Sequence, residues 1–244
     1  MNVLIVFAHP EPRSFNGAMK DLAEAELTRL GHSVRVSDLY AKGFKAVADA
    51  GDFMQRADPE RLDYPAEQGH AHAAGTTAPD IAAEQADLQW ADHVIFQFPM
   101  WWYSVPAILK GWLERVMTIG FAYGRGKMFD TAGLNGTRAM VSCTTHGLAT
   151  SYEPTGWHGD IDRVLWPLHN GLRFVGFEVL PPMVAYNVIR CGDDERAAYF
   201  DAYRERLARL PDTDSLPFHR LDEFDDSGRL QDGSTARTPG QWTD

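Results

Sequence analysis

The sequence predicts an α/β protein: an open, five-stranded parallel sheet in the order 2-1-3-4-5, with helices on both faces. Two observations predict it. Short apolar runs rich in Val, Ile and Phe alternate with longer stretches of helical periodicity all the way from Val3 to Leu210. One of those runs, residues 94–98, ends at Pro99 and spills the aromatic residues Trp101, Trp102 and Tyr103 into a loop before a helix starts at Val105-Pro106. In open parallel sheets, loops at the carboxyl ends of the strands line the ligand crevice.

Each element has its own signal. Residues 3–7 read as a buried strand and residues 15–30 as the following helix, capped by Ser14 or Asn16 and stopped at Gly31. Residues 33–37 are the second strand. The excursion over 41–77 contains Gly, Ala, His and Pro with little periodicity and is expected as a long loop; a helical pattern resumes over 79–88. Residues 93–98 are the third strand, and 106–117 its helix, with Pro106 in the first turn. Strand 138–143 with helix 160–172, then strand 177–180 with helix 194–210, complete the alternation. A catalytic domain is expected over residues 1–210. Residues 211–244 are expected to form an extended acidic tail, packed on a neighbour through Leu216, Phe218, Leu221 and Phe224.

A chain of 244 residues suits one α/β domain with a tail. With 23 basic and 34 acidic residues the formal charge is −11, and no basic stripe marks a phosphate-backbone footprint, so nucleic acid is not an expected partner. Cys143 and Cys191 are too few for a disulfide framework and match no zinc spacing. No apolar run approaches the ~18 residues of a membrane helix. The expectation is a soluble, cytoplasmic protein without membrane insertion and without a structural metal.

Three constellations carry chemistry. The loop from His9 to Ala18 joins a strand to a helix N-terminus, where unpaired amides and the helix dipole favour a phosphate. It has no G-x-G-x-x-G fingerprint and no Gly-Lys-Ser/Thr ending, so neither a nicotinamide Rossmann site nor a P-loop is expected. Flat aromatic side chains at Trp101, Trp102 and Tyr103 suit a flat aromatic ligand, for which a flavin is inferred. Further along, Tyr152 and His158 stand six residues apart on the loop before the fourth helix of the alternation. A hydrolase is not indicated, because no G-x-S-x-G elbow occurs.

Several collinear blocks carry a resemblance: residues 4–9 with 14–20, Ser37-Asp38-Leu39-Tyr40, Pro79-Asp80-Ile81 with Glu84-Gln85, the run 96–112, Thr144-Thr145, and Gly156-Trp157-His158-Gly159-Asp160. Through them the chain resembles the NAD(P)H:quinone oxidoreductases of the DT-diaphorase type, flavoenzymes of the flavodoxin-like fold. That resemblance implies bound FAD, NADH or NADPH as hydride donor, a quinone or other electron-poor aromatic acceptor, ping-pong turnover, and a homodimer with two interface sites. By position it puts His9, Ser14, Phe15, Asn16 and Ala18 at the pyrophosphate and ribose side. Pro99, Met100, Trp102, Tyr103, Thr144, Thr145, His146 and Gly147 fall around the isoalloxazine. Trp102 and Tyr103 also wall the substrate, with Tyr123 and Phe174 in the quinone pocket. Tyr152 and His158 are then the catalytic pair, compensating negative charge at the N1/C2 edge as hydride arrives. A regulatory subunit of a potassium efflux system is the alternative among relatives, and a one-electron carrier a third reading.

Some positions depart from the family pattern. His146 stands where relatives have a glycine, which is costly if the backbone there needs a positive φ. Arg125 replaces a pocket tyrosine and Arg190 a histidine, so the entrance gains positive charge suited to anionic acceptors or to the phosphate of NADPH. Asp63 replaces a glutamine at the adenine end, which leaves FMN possible. Asn170 and Arg173 stand near the metal ligands of one family branch without matching them.

Overall fold

Alternation within the strands decides which side chain goes to which face. In β1 (Asn2–Phe7), Val3 and Ile5 enter one apolar layer while Leu4 and Val6 enter the other, all four fully buried. The computed structural model describes residues 1–235 and 237. It pairs β1 with β2 (Ser33–Asp38) and with β3 (His93–Pro99), β3 with β4 (Arg138–Thr144), and β4 with β5 (Glu178–Ala185), all in parallel. The order is the expected 2-1-3-4-5.

Helices close both faces. α1 (Phe15–Arg29) contributes Met19, Ala23 and Leu27 to one layer, and α6 (Asp193–Ala208) joins it there with Tyr203 and Leu207. On the opposite face, α3 (Pro79–Trp90) supplies Leu88, α4 (Ala107–Val116) supplies Leu109, Trp112 and Val116, and α5 (Ile161–Phe174) supplies Leu165 and Leu172. Every residue of β3 is buried, as its continuous apolar run requires of a central parallel strand. Because the chain leaves β1 toward β2 on one side and returns to β3 on the other, the loops after β1 and β3 diverge. They leave a crevice at their carboxyl ends.

Four segments differ from the sequence expectation. The excursion 41–77 contains a helix, α2 (Tyr64–Ala74), capped by Asp63, with a proline in its first turn and ended by Gly75 at φ +69°. Its buried residues are Glu67, Gln68 and Ala71, so it carries no apolar stripe to betray it; Glu67 instead accepts from the amides of Ala57 and Asp58 and from Arg56. β5 runs on to Ala185, through Pro181 and Pro182, which an edge strand tolerates and which obscured its length. Pro106 caps α4 from outside rather than lying in its first turn. The segment after Leu210 lies on the chain's own domain: Leu216 and Phe218 pack on the apolar layer, Leu216 N–H donates to Val179 O, and Arg173 donates to the carbonyl of His219. Of the tail expected over 211–244, residues 236 and 238–244 lie outside the described residues.

A buried ion network ties the excursion to α4. Asp52, fully buried, accepts from Arg115 at 2.8 Å, from Lys45 at 2.8 Å and from the Tyr64 hydroxyl at 2.6 Å, while Arg115 also reaches Asp80 at 2.7 Å. Burial alone would raise the Asp52 carboxyl, but the hydrogen bonds from Arg115, Lys45 and Tyr64 outweigh it and hold the group below the ordinary range. Removing one partner of such a network leaves an uncompensated buried charge. Arg115→Met should therefore cost about 3–5 kcal/mol of unfolding free energy, read by urea denaturation.

Two histidines make the domain acid-sensitive. Burial pushes His93 and His169 down to about 4. In the unfolded chain each takes a proton near pH 6.5, so the stability they confer is complete above that value and is lost as the pH falls toward 4, at about 1.4 kcal/mol per unit per group. His169→Leu should reduce the slope of stability against pH between about 6 and 5 by that amount. Denaturant titrations at several pH values measure it.

Candidate active site

The crevice is built from three loops. The first follows β1. Ser14 caps α1 by accepting from Gly17 N at 3.1 Å, and a Cβ on Gly17 would lie 1.8 Å from the carbonyl oxygen of Pro12, so only glycine lets the loop close this tightly. Among the described residues, the amides of Phe15 and Asn16 have no acceptor, which leaves two donors at a helix N-terminus. His9 Nδ1 lies 3.0 Å from both the amide and the carbonyl oxygen of Glu11, which leaves Nε2 as the ring nitrogen without a partner among the described residues. The Phe15 ring packs away from this loop, stacked on Phe200 at 5.1 Å, and the Ala18 amide is bonded to Ser14 O. Those two positions could face a ligand by backbone or carbon only.

The second loop is a tight hairpin after β3. Trp101 and Ser104 exchange reciprocal backbone hydrogen bonds of 3.0 Å, and the two residues between them, Trp102 and Tyr103, both take positive φ, 52° and 58°. Neither is a glycine, so each costs about 1–2 kcal/mol of backbone strain. The result is an aromatic tip: Trp102 is 97% exposed and Tyr103 54%. Strain and exposed aromatics together are tolerated where a site needs them.

The third loop follows β4. His146 does not take a positive φ, so the family glycine is replaced here without strain. The amides of His146 and Gly147 have no acceptor among the described residues. Gly147 is needed for space instead: a Cβ would lie 2.8 Å from the Tyr152 ring and 3.0 Å from His158 Nε2. Tyr152, buried, stacks on His158 with ring centroids 4.7 Å apart and planes 28° apart. Burial raises the Tyr152 phenol, with the neighbouring Tyr103 adding to it, so the group stays a hydrogen-bond donor. Met100, Trp101, Trp102, Tyr103, His146, Gly147, Tyr152 and His158 line one cleft of about 320 Å³.

Hydrogen bonds lock the loops to one another. Gln97, fully buried in β3, donates to Asn16 Oδ1 at 2.8 Å, and Asn16 Nδ2 donates to Thr144 Oγ1 at 2.8 Å. The Met100 amide donates to the carbonyl of Thr144, while the Thr145 hydroxyl donates to that of Gly147. Sequence reading singled out the loop aromatics, Trp101 among them, but missed Gln97. A glutamine inside an otherwise apolar central strand was the available signal, since a buried amide needs partners.

Other expected site residues lie elsewhere in the chain. Tyr123 and Phe174 meet each other at 5.2 Å, but in a separate apolar groove of about 580 Å³ with Tyr64, Leu113 and Leu168. Arg125 and Arg190 are exposed. Asp63 serves as the cap of α2. The Arg173 guanidinium lies over the Phe129 and Phe218 rings, at 4.3 Å and 5.2 Å.

A doubly wound parallel sheet with two unbonded amides at the N-terminus of its first helix and an aromatic cleft between the loops after β3 and β4 is the architecture of a flavodoxin-type protein. A family model described as flavodoxin-like fold matches residues 1–210, and the chain belongs to that family. Within it, NAD(P)H dehydrogenase (quinone) 1 of Rattus norvegicus is 42% identical over 224 residues, covering 91% of this chain and 82% of its own. Ribosyldihydronicotinamide dehydrogenase (quinone) of Pongo abelii is 44% identical over 217 residues, covering 88% and 94%. A candidate quinone reductase of Klebsiella pneumoniae, known by crystal structure, superimposes with a TM-score of 0.92 at 41% identity over 97% of both chains. The potassium-efflux ancillary protein KefF of Salmonella newport matches only 52% of this chain, so the regulatory alternative is not favoured.

The residues present fit a flavin. Free amides and His9 Nε2 suit a phosphate, Gly147 keeps open the space beside the free amides of His146 and Gly147, and the aromatic hairpin offers flat faces. The strain at the hairpin is measurable on its own. Trp102→Asn should raise the unfolding free energy by up to about 1 kcal/mol, because asparagine tolerates the left-handed region and the exposed indole has little packing to lose. Gly147→Ala should lower it by about 1–3 kcal/mol through overpacking against Tyr152. Paired denaturation curves test both.

Proposed function

We propose that this protein is an FAD-dependent NAD(P)H:quinone oxidoreductase, reducing quinones or similar electron-poor aromatics by two electrons in ping-pong order. The observation that carries the reading is the Tyr152–His158 stack, packed over Gly147 in a cleft rimmed by Trp102 and Tyr103. The relatives' names support the reaction class. A bound flavin supplies the hydride relay between nicotinamide and acceptor.

The chain's own residues do the rest. The amides of Phe15 and Asn16, with His9 Nε2, would hold the phosphate end. The amides of His146 and Gly147 would meet the carbonyl edge of the ring, and the Tyr152 hydroxyl and His158 would donate toward the charge that develops there. Such preorganised donors act in a partly water-excluded cleft, where they are worth far more than in water. Trp102 and Tyr103 would stack on the substrates, which share one cleft and so must alternate.

The family resemblance implies a homodimer, and a homodimer in the cytoplasm, with the apolar groove containing Tyr123 and Phe174 turned toward the second copy, is part of the proposal. In it, Tyr123, Phe174 and Arg125 act at a site completed across the interface, and the exposed guanidiniums of Arg125 and Arg190 favour anionic acceptors or NADPH. FAD is proposed over FMN on the family resemblance.

Chromatography of the flavin released by denaturation should give FAD. One equivalent of NADPH under anaerobic conditions should bleach the yellow chromophore, and a quinone should restore it. His158→Gln should keep the flavin and lower kcat by about 10²-fold. A colourless protein that stays so after incubation with FAD and with FMN overturns the reading.

A further inference from the structure

The phenol of Tyr103 does more than present a flat face. Its hydroxyl lies 2.9 Å from His158 Nδ1, with the two rings 5.6 Å apart and inclined at 60°. On its other side the imidazole is stacked on Tyr152, and its Nε2 is directed toward Gly147, where an added Cβ would stand 3.0 Å away. The two ring nitrogens therefore face different surroundings: Nδ1 meets the hairpin hydroxyl and Nε2 meets the floor of the cleft. We propose that Tyr103 is a positioning residue, whose hydroxyl fixes the orientation and tautomer of His158 so that its proton sits on Nε2, facing the reacting groups.

The chemistry of the pair supports this. A phenolic O–H can donate to Nδ1 only when Nδ1 carries no proton, and a neutral imidazole then holds its single proton on Nε2. If His158 takes up a second proton during turnover, the Tyr103 oxygen can accept from Nδ1–H. The hydroxyl thus satisfies the ring in both states, with no reorganisation beyond its own rotor. Phenylalanine would provide the same wall without this bond. The hairpin holds Tyr103 at φ 58° beside Trp102 at φ 52°, a conformation that L residues adopt at a cost, and in that conformation the phenol reaches His158. A half-exposed side chain on a strained turn is an expensive way to build a wall and a direct way to aim a hydroxyl.

The inference rests on the oxidoreductase reading for its consequence in turnover, but not for its structural core. The test is Tyr103→Phe, read in two ways. Nitrogen NMR of histidine-labelled protein, without substrates, should show His158 in wild type with Nδ1 unprotonated and hydrogen-bonded, and Nε2 protonated. In the variant the Nδ1 signal should lose its hydrogen-bond shift and the two nitrogens should average between tautomers. Steady-state kinetics should show kcat lowered about tenfold or more, as for loss of one hydrogen bond to a group that becomes charged, with KM for the nicotinamide within about twofold. A wild-type proton on Nδ1, or nitrogen signals unchanged by the substitution, overturns the assignment even if kcat falls, since the ring contact would then be responsible. A changed spectrum with wild-type kcat overturns the role in turnover. If no quinone reduction is found at all, the spectra still decide the positioning, so the two readings fail separately.

Discussion

Two buried hydrogen bonds hold the working end of the molecule together: Gln97 to Asn16 and Asn16 to Thr144, each 2.8 Å. They join the carboxyl ends of β3 and β4 to the first turn of α1, and so hold the three crevice loops in one register. Inside the sheet these amides have no water to fall back on, so each bond is worth more made than it would be at the surface, and each costs more when broken. Gln97 Oε1 has no partner among the described residues. An apolar residue in that central position would pack more simply. The amide is explained by what it aligns.

The same exchange of stability for geometry recurs around the cleft. Trp102 and Tyr103 occupy left-handed backbone without being glycine, and Gly17 and Gly147 stand where any side chain would collide with a neighbour. Against these local costs stand a fully buried central strand and two apolar layers, one on each face. A rigid sheet lets the loops be strained without unfolding, because strain at a loop tip is opposed by the cooperative burial beneath it. Farther out, the Asp52–Arg115 network seats α4, the helix that starts just after the aromatic hairpin, against the excursion that precedes α3. The hairpin is thus held at both ends.

Much of this was legible in the chain. Strand order followed from alternation of short apolar runs with helical ones, and the crevice from a proline-ended strand that spills aromatics. Tyr152 and His158 were singled out by family resemblance, and the structure brings them into contact with each other and with Gly147. What escaped was polar. α2 buries glutamate and glutamine rather than an apolar stripe, so periodicity has nothing to register there. The tail was expected on a neighbour, yet Leu216 bonds to Val179 and lies on its own domain, because a short run of apolar residues states that a surface is covered but not whose. Tyr123 and Phe174 share a groove apart from the cleft within one chain.

The sequence by itself determined the sheet, its order, the location of the crevice and the residue types that face it, since these depend on local periodicity and on the fixed handedness of strand crossovers. Only the tertiary structure decided how those residues meet. That His146 needs no unusual backbone, that Gly147 is required for room rather than for φ, and that Tyr103 reaches His158 by its hydroxyl all depend on distances between segments far apart in the chain. Such distances are set by packing, to which pattern along a chain is blind.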